Sequence, residues 1–295
     1  MARPYIGLSG WNYPGWRGDF YPDGLRQKDE LAYASAQFPT IEINGTFYSL
    51  KKPADFAQWR AVTPKGFVFA VKGGRFITHM KQLREPRVPL ANFLAQGVLG
   101  LEEKLGPILW QFPERMRLDD ARLDRFDEFL SMLPRDTEEA AALAREHGPQ
   151  MKKGVLLDVE RKRRIRHAVE VRHDSFFVEP FMRLLRGHDV ALVASDAKEW
   201  RYAEELTAGF VYVRLHGSER TYTSRYTDAQ LDRLADAIRA WLEGGEPDDA
   251  ARVTELKPPA RKGRDVFVYF DNDAKVHAPK DAERLQRRVN CEGSC

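Results

Sequence analysis

Along the chain, short apolar runs rich in Val, Ile and Phe alternate with longer stretches in which apolar residues recur every three or four positions. Side chains alternate across a strand but return to one face of a helix about every 3.6 residues, so the first pattern predicts strands and the second helices. Strands are expected at 5–11, 40–46, 67–73, 107–112, 167–173, 190–196, 210–217 and 266–272, and helices at 29–38, 54–62, 90–105, 119–133, 179–185, 228–242 and 281–289. The clearest helix stacks Leu231, Leu234, Ile238 and Trp241 behind Asp228 as its expected N-cap. Eight strand-then-helix units predict an α/β fold, a (β/α)8 TIM barrel forming a single domain over 1–289, with a tail at 290–295. An open doubly wound sheet is the alternative. The charged connection 133–166 predicts a long helical insertion between the fourth and fifth strands, with an extra helix at 137–146. The link between the sixth and seventh strands is too short for a full helix.

Parity along the strands separates two sets of side chains. One set is apolar and is expected to face the helices: Ile41 and Ile43, Phe69 and Val71, Ile108 and Trp110, Val169 and Val171, Val213 and Leu215. The other set is polar and gathers toward the C-terminal strand ends: Glu42, Asn44 and Thr46, Lys72, Gln111, Glu170 and Arg172, Asp196, and Arg214 with His216. On the eighth strand either Tyr269 and Asp271 or Asn272 points inward. The C-terminal face is where barrels of this kind carry their active sites, so the polar set predicts a functional ring at the barrel mouth. Its bland counterpart is a network that only pairs internally, since Glu42, Glu170 and Asp196 balance Lys72, Arg172 and Arg214. Ion pairs buried for stability alone gain little over apolar residues, which favours the functional reading.

Composition narrows the chemistry. The net charge of +3 is small against 47 basic and 44 acidic side chains, so no global field points to nucleic acid or membrane. No apolar run approaches the ~20 residues of a membrane span, and the N-terminus has no signal-peptide core, which predicts a cytoplasmic protein. Cys291 and Cys295 both lie in the last five residues, which excludes a disulfide framework, and two thiols are half of a tetrahedral metal set.

Within the ring each acid has a base available, which argues against a metal centre. A divalent metal at Glu42, Glu170, Asp196 and His216 is the minority alternative, and no cofactor is predicted. Glycoside hydrolysis by Glu42 and Glu170, with Trp11, Trp16 and Tyr48 stacking on sugar, does not account for three cations. An anionic ligand does: Lys72, Arg172 and Arg214 hold a phosphate or carboxylate while Glu170 and His216 move protons. Glu42, Asn44 and Asp196 orient the set, with Gln111, Trp11 and Asn272 as further ligand contacts. The expectation is a metal-independent enzyme, a hydrolase or lyase, acting on a small anionic or phosphorylated ligand. A second reading is nucleic-acid binding by the loop 218–226, which adds Arg220, Tyr222 and Arg225. A third is a catalytically silent ligand-binding scaffold. The basic run Arg161–Arg164 precedes a strand and so belongs to the opposite face.

The segments SGWNYPGWRGDFYP (9–22), EINGTFYSL (42–50), FVFAVKGGRFITH (67–79), LGPILWQFP (105–113), HAVEVRHDSF (167–176), VYVRLHG (211–217) and VYFDND (268–273) together resemble the YecE-like family, bacterial domains of unknown function. The resemblance covers nearly the whole chain. It implies a TIM-barrel fold and no assigned activity.

Overall fold

The computed structural model describes residues 1–217 and 219–290, so Ser218 of the loop singled out above, and Cys291 and Cys295, lie outside the described residues. In chain order the elements are β1 (Pro4–Ser9), α1 (Glu30–Gln37), β2 (Thr40–Ile43), the single turn α2 (Gly45–Tyr48), α3 (Pro53–Val62), β3 (Val68–Lys72), α4 (Arg87–Ala95), β4 (Leu105–Gln111), α5 (Asp120–Met132), α6 (Thr137–Ala144), β5 (His167–Glu170), α7 (Glu179–Gly187), β6 (Ala191–Ala197), β7 (Phe210–Gly217), α8 (Asp228–Leu242), β8 (Asp265–Phe270) and α9 (His277–Asn290). The strands close in sequence order into a parallel eight-stranded barrel with β1 beside β8, which is the (β/α)8 fold expected from the alternation. The chain divides into two compact units, Met1–Ile41 with the chain from Phe177 on, and Glu42–Phe176.

Register in the 42–176 unit bears out the parity argument, and in the other unit it corrects it at Asp196, which aligns with Leu215 of the expected helix-facing set and not with Arg214. In the 42–176 unit, Val71 pairs with Ile108 and Trp110 with Val169. Trp110 then packs its ring on Phe93 of α4 and Phe129 of α5, at 5.3 and 5.1 Å between centroids, so this face of the sheet meets the helices. The other face carries the pair Gln111 and Glu170. In the remaining unit, Arg214 pairs with Tyr269. That settles the eighth strand: Tyr269 and, two residues on, Asp271 share the face of Arg214 and His216.

Several boundaries shift for local reasons. The second strand stops at Ile43 because Asn44 adopts helical torsions and opens α2, where the Thr46 hydroxyl donates to the carbonyls of Ile43 (3.1 Å) and Lys72 (2.6 Å). The helix expected over 90–105 breaks at Gly97, whose φ of 120° excludes other residues and whose missing Cβ would lie 2.6 Å from Pro53 Cα. Tight 3-10 turns replace it up to β4. For α8 the N-cap is Thr227 and not Asp228: its hydroxyl accepts from the Gln230 amide while the Gln230 side chain accepts from the Thr227 N–H. Asp228 instead pairs with Arg284 and Arg288 of α9. The connection from β4 to β5 carries both α5 and α6, and no helix separates β6 from β7 among the described residues.

Candidate functional site

Lys72, Gln111 and Glu170 are the last residues of β3, β4 and β5. All three are buried, Glu170 completely. Because Gln111 and Glu170 are register partners on the barrel-facing side, the Gln111 amide donates to Glu170 Oε2 at 2.9 Å. Arg172, two residues beyond, folds back to give Glu170 Oε1 hydrogen bonds from Nε (3.1 Å) and Nη2 (3.0 Å). Lys72 Nζ stands 4.4 Å from the centre of the Phe47 ring, a cation on an aromatic face. Gly73 follows because a Cβ there would strike the Trp110 ring at 2.3 Å, and the backbone must pass that close to bring Lys72 to the strand end. Glu42 is fully buried on β2, and Asn44 sits at the start of α2.

His79, to which strand parity assigns no role, also belongs to this group. It sits in a single π-helical turn, Phe76–Met80, its ring edge-on to Phe47 at 5.0 Å and its Nδ1 2.9 Å from the Thr78 hydroxyl. Burial, and then the positive charges of Lys72, Arg172 and Arg115, push its pKa down to about 4, with Glu170 opposing. The imidazole is therefore neutral at pH 7 and reports a local field in which cations outweigh Glu170.

The other unit holds a second cluster. Arg214, at 1 % exposure, donates from Nη2 to Ser9 Oγ and to Asp271 Oδ2, both at 3.0 Å, and from Nη1 toward His216 Nε2 at 3.2 Å. A guanidinium can only donate, so His216 Nε2 is the bare nitrogen and its proton sits on Nδ1, 3.0 Å from Asp271 Oδ2. The His216 ring also makes edge-to-face contacts with Trp200 (5.0 Å) and Tyr222 (5.4 Å). Asp273 lies just past it, and burial followed by the Asp271 charge raises its carboxyl to about 6. Ser9 and Asp273 were not singled out in the sequence as site residues; both lie at strand ends inside quoted motifs, which is the one signal that pointed to them.

The remaining expected contacts are placed as follows. Asp196 aligns with Leu215, while Ser195 aligns with Arg214, and a register shift follows at once. Its carboxyl meets the Tyr226 hydroxyl and is raised by burial. Asn272 is fully buried and donates to the Ser224 carbonyl and Asp281, both at 3.0 Å, tying the end of β8 to α9. Trp11 is half-buried, its carbonyl accepting from Tyr21. Among the described residues no three His, Cys, Asp or Glu side chains are grouped to hold a metal ion, and no helix is long and apolar enough to cross a membrane. His167 is fully engaged elsewhere, between the Trp110 indole N–H and the Pro134 carbonyl.

Comparison with known proteins agrees with this architecture. The chain is 32 % identical over 122 residues to the UPF0759 protein YecE of Escherichia coli K12, and 28 % identical over 120 residues to the UPF0759 protein YunF of Bacillus subtilis. Each match covers 37 % of this chain, and it spans 42 % of YecE and 39 % of YunF, about two fifths of either relative. A crystal structure of a DUF72 family protein from Thermotoga maritima superposes with a TM-score of 0.73 at 22 % identity, covering 97 % of this chain and 99 % of that one. The model of the family described as "Protein of unknown function DUF72" matches residues 5–294, and with nearly the whole chain so covered the protein belongs to the DUF72 family.

Proposed function

We propose that the protein is a metal-independent enzyme acting on a small anionic or phosphorylated substrate at the C-terminal ends of β3, β4 and β5. Lys72 and Arg172 hold the anion. Glu170, fixed by Gln111 on one oxygen and Arg172 on the other, is the proton-transfer group, and Glu42 supports it. The observation that carries this reading is the run of Lys72, Gln111 and Glu170 at three successive strand ends, with Arg172 bonded to Glu170 beside them. A neutral ligand has little use for Lys72 and Arg172 together, whereas a phosphate or carboxylate is stabilised by both.

The test is a panel of inorganic phosphate, sugar phosphates, nucleotides and small carboxylates, read by thermal stabilisation and by turnover. Wild type should be stabilised by at least one of them. Lys72→Met should lose that response, and Glu170→Gln should keep it while losing turnover. A wild-type protein indifferent to every anion ends the proposal, and a ligand bound but never converted reduces it to a binding protein.

A further inference from the structure

Resting on the anion reading, a second set of side chains says what the anion is attached to. Few large apolar side chains are exposed in this protein, and three of them follow β2 and β3 directly: Tyr48 at 64 %, Phe76 at 47 % and Met80 at 66 % exposure. Tyr48 ends α2, and Phe76 and Met80 bound the π-helical turn that carries His79. Exposed apolar side chains that follow two strand ends are candidates for recognising a ligand. The Tyr48 ring is also organised. The Arg75 guanidinium lies 5.6 Å from its centroid, and its edge meets Phe47 at 5.1 Å. Phe47 in turn carries Lys72 at 4.4 Å and the His79 ring at 5.0 Å. One continuous path of ring contacts therefore runs from the solvated Tyr48 face to the cationic strand end.

Gln82, Leu83 and Glu85 all have positive φ (49°, 64° and 47°) in the turn that follows the π-helix. Non-glycine residues avoid that region, and strain of this kind concentrates where a loop must present side chains in a fixed pose.

We propose that Tyr48, with Arg75, is a stacking platform for a planar ring in the ligand, so that the substrate class is an aromatic ring joined to an acidic group, as in a nucleoside monophosphate or an aromatic carboxylate. The ring lies on Tyr48 and the acid reaches Lys72. Stacking of a base on an aromatic side chain is tolerant of base identity, so purine and pyrimidine are expected to be accepted alike.

Calorimetry on the full chain compares AMP and UMP with ribose 5-phosphate, and benzoate with acetate, in wild type, Tyr48→Ala, Tyr48→Phe and Arg75→Ala. Tyr48 is exposed, so its replacement leaves the fold intact. In wild type one ring-bearing acid should bind about tenfold or more tighter than its ringless partner, and whichever pair shows this identifies the acid. Tyr48→Ala should abolish that advantage while leaving the ringless acid's affinity unchanged, Tyr48→Phe should retain it, and Arg75→Ala should reduce it. Equal binding of ring-bearing and ringless acids, or an advantage that survives Tyr48→Ala, overturns the platform while sparing the anion site. Failure of every acid to bind removes both.

Discussion

Arg172 and Arg214 each stand on the barrel-facing side near the C-terminal end of a parallel strand, and each holds a carboxylate, Glu170 in one case and Asp271 in the other. They are finished differently. The Arg214 side chain is 1 % exposed and divides its donors among Ser9, Asp271 and His216. The Arg172 side chain is 12 % exposed, directs Nε and Nη2 to a single oxygen of Glu170, and turns Nη1 toward the exposed Glu114 at 4.0 Å. The first arrangement consumes its charges internally and fixes three strand ends. The second places part of the guanidinium at the solvent side, near Glu114, which is where the proposed anion would approach. Similar residues thus end in an enclosed cluster in one unit and in a partly exposed one in the other.

Truncating both arginines tests that contrast with the largest expected effect. Arg214→Met strands Asp271 without its buried cation and should cost about 3–5 kcal/mol of stability. Arg172→Met leaves the buried Glu170 its Gln111 hydrogen bond and removes a cation that is itself partly exposed, and should cost less, about 2 kcal/mol. Urea unfolding at pH 7 measures both. A loss at Arg172 equal to that at Arg214 would mean the two clusters are equally structural, and the case for a ligand at Glu170 would weaken with it.

A somewhat smaller effect comes from His167, another histidine of the 42–176 unit. Its Nδ1 accepts from the Trp110 indole at 3.2 Å, so its proton is on Nε2, 2.8 Å from the Pro134 carbonyl. Burial lowers its pKa to about 4 against an ordinary 6.5. The unfolded chain then binds a proton that the folded chain refuses, so stability is full above pH 6.5 and falls as pH drops toward 4, by ~3 kcal/mol in all. His79, also at about 4, acts in the same direction with less weight because it is partly exposed. His167→Gln should flatten the decline of the urea midpoint between pH 6.5 and 4, and an unchanged slope would show that the buried imidazole is not its source.

How much of this was readable in advance follows from what periodicity can and cannot encode. Strand parity placed Lys72, Gln111, Glu170, Arg214 and His216 correctly on one face, because alternation is a property of each strand alone. It could not choose between Asp271 and Asn272, since that depends on the pairing of Arg214 with Tyr269 in another strand. Asp196 shows the same limit: its alignment with Leu215 and not with Arg214 is set by the neighbouring strand, and its carboxyl meets Tyr226. His79 escaped for a different reason. A lone π turn followed by residues at positive φ has neither a helical nor a strand period, so nothing in the sequence tied it to Phe47 or Lys72. Tyr48 was legible as an aromatic that could stack on a ligand, but its place was not, because the strand pattern runs to Thr46 where a helical turn intervenes.

The smallest effect lies in the other unit and has the opposite sign. Burial and the neighbouring charge of Asp271 raise Asp273 to about 6 from 3.8, so between those values the folded state holds a proton that the unfolded state has released. Stability from this group therefore rises as pH falls from 6 toward 4, in the same interval where His167 loses it. Asp196, raised by burial, adds to the rise. The Trp16 indole donates to the backbone carbonyl of Asp273 and not to its carboxylate, so Asp273→Asn removes the titration while keeping that contact. The variant should be stabilised at pH 7 by roughly 1 kcal/mol or less, because Asp273 is partly exposed and screened. Its stability should then fall more steeply than wild type on acidification. Urea midpoints for the two variants across pH 4 to 7 should diverge in opposite directions from wild type, His167→Gln shallower and Asp273→Asn steeper. If both move the same way, the two units do not carry opposed proton linkages, and the raised carboxyl beside Asp271 has no thermodynamic consequence.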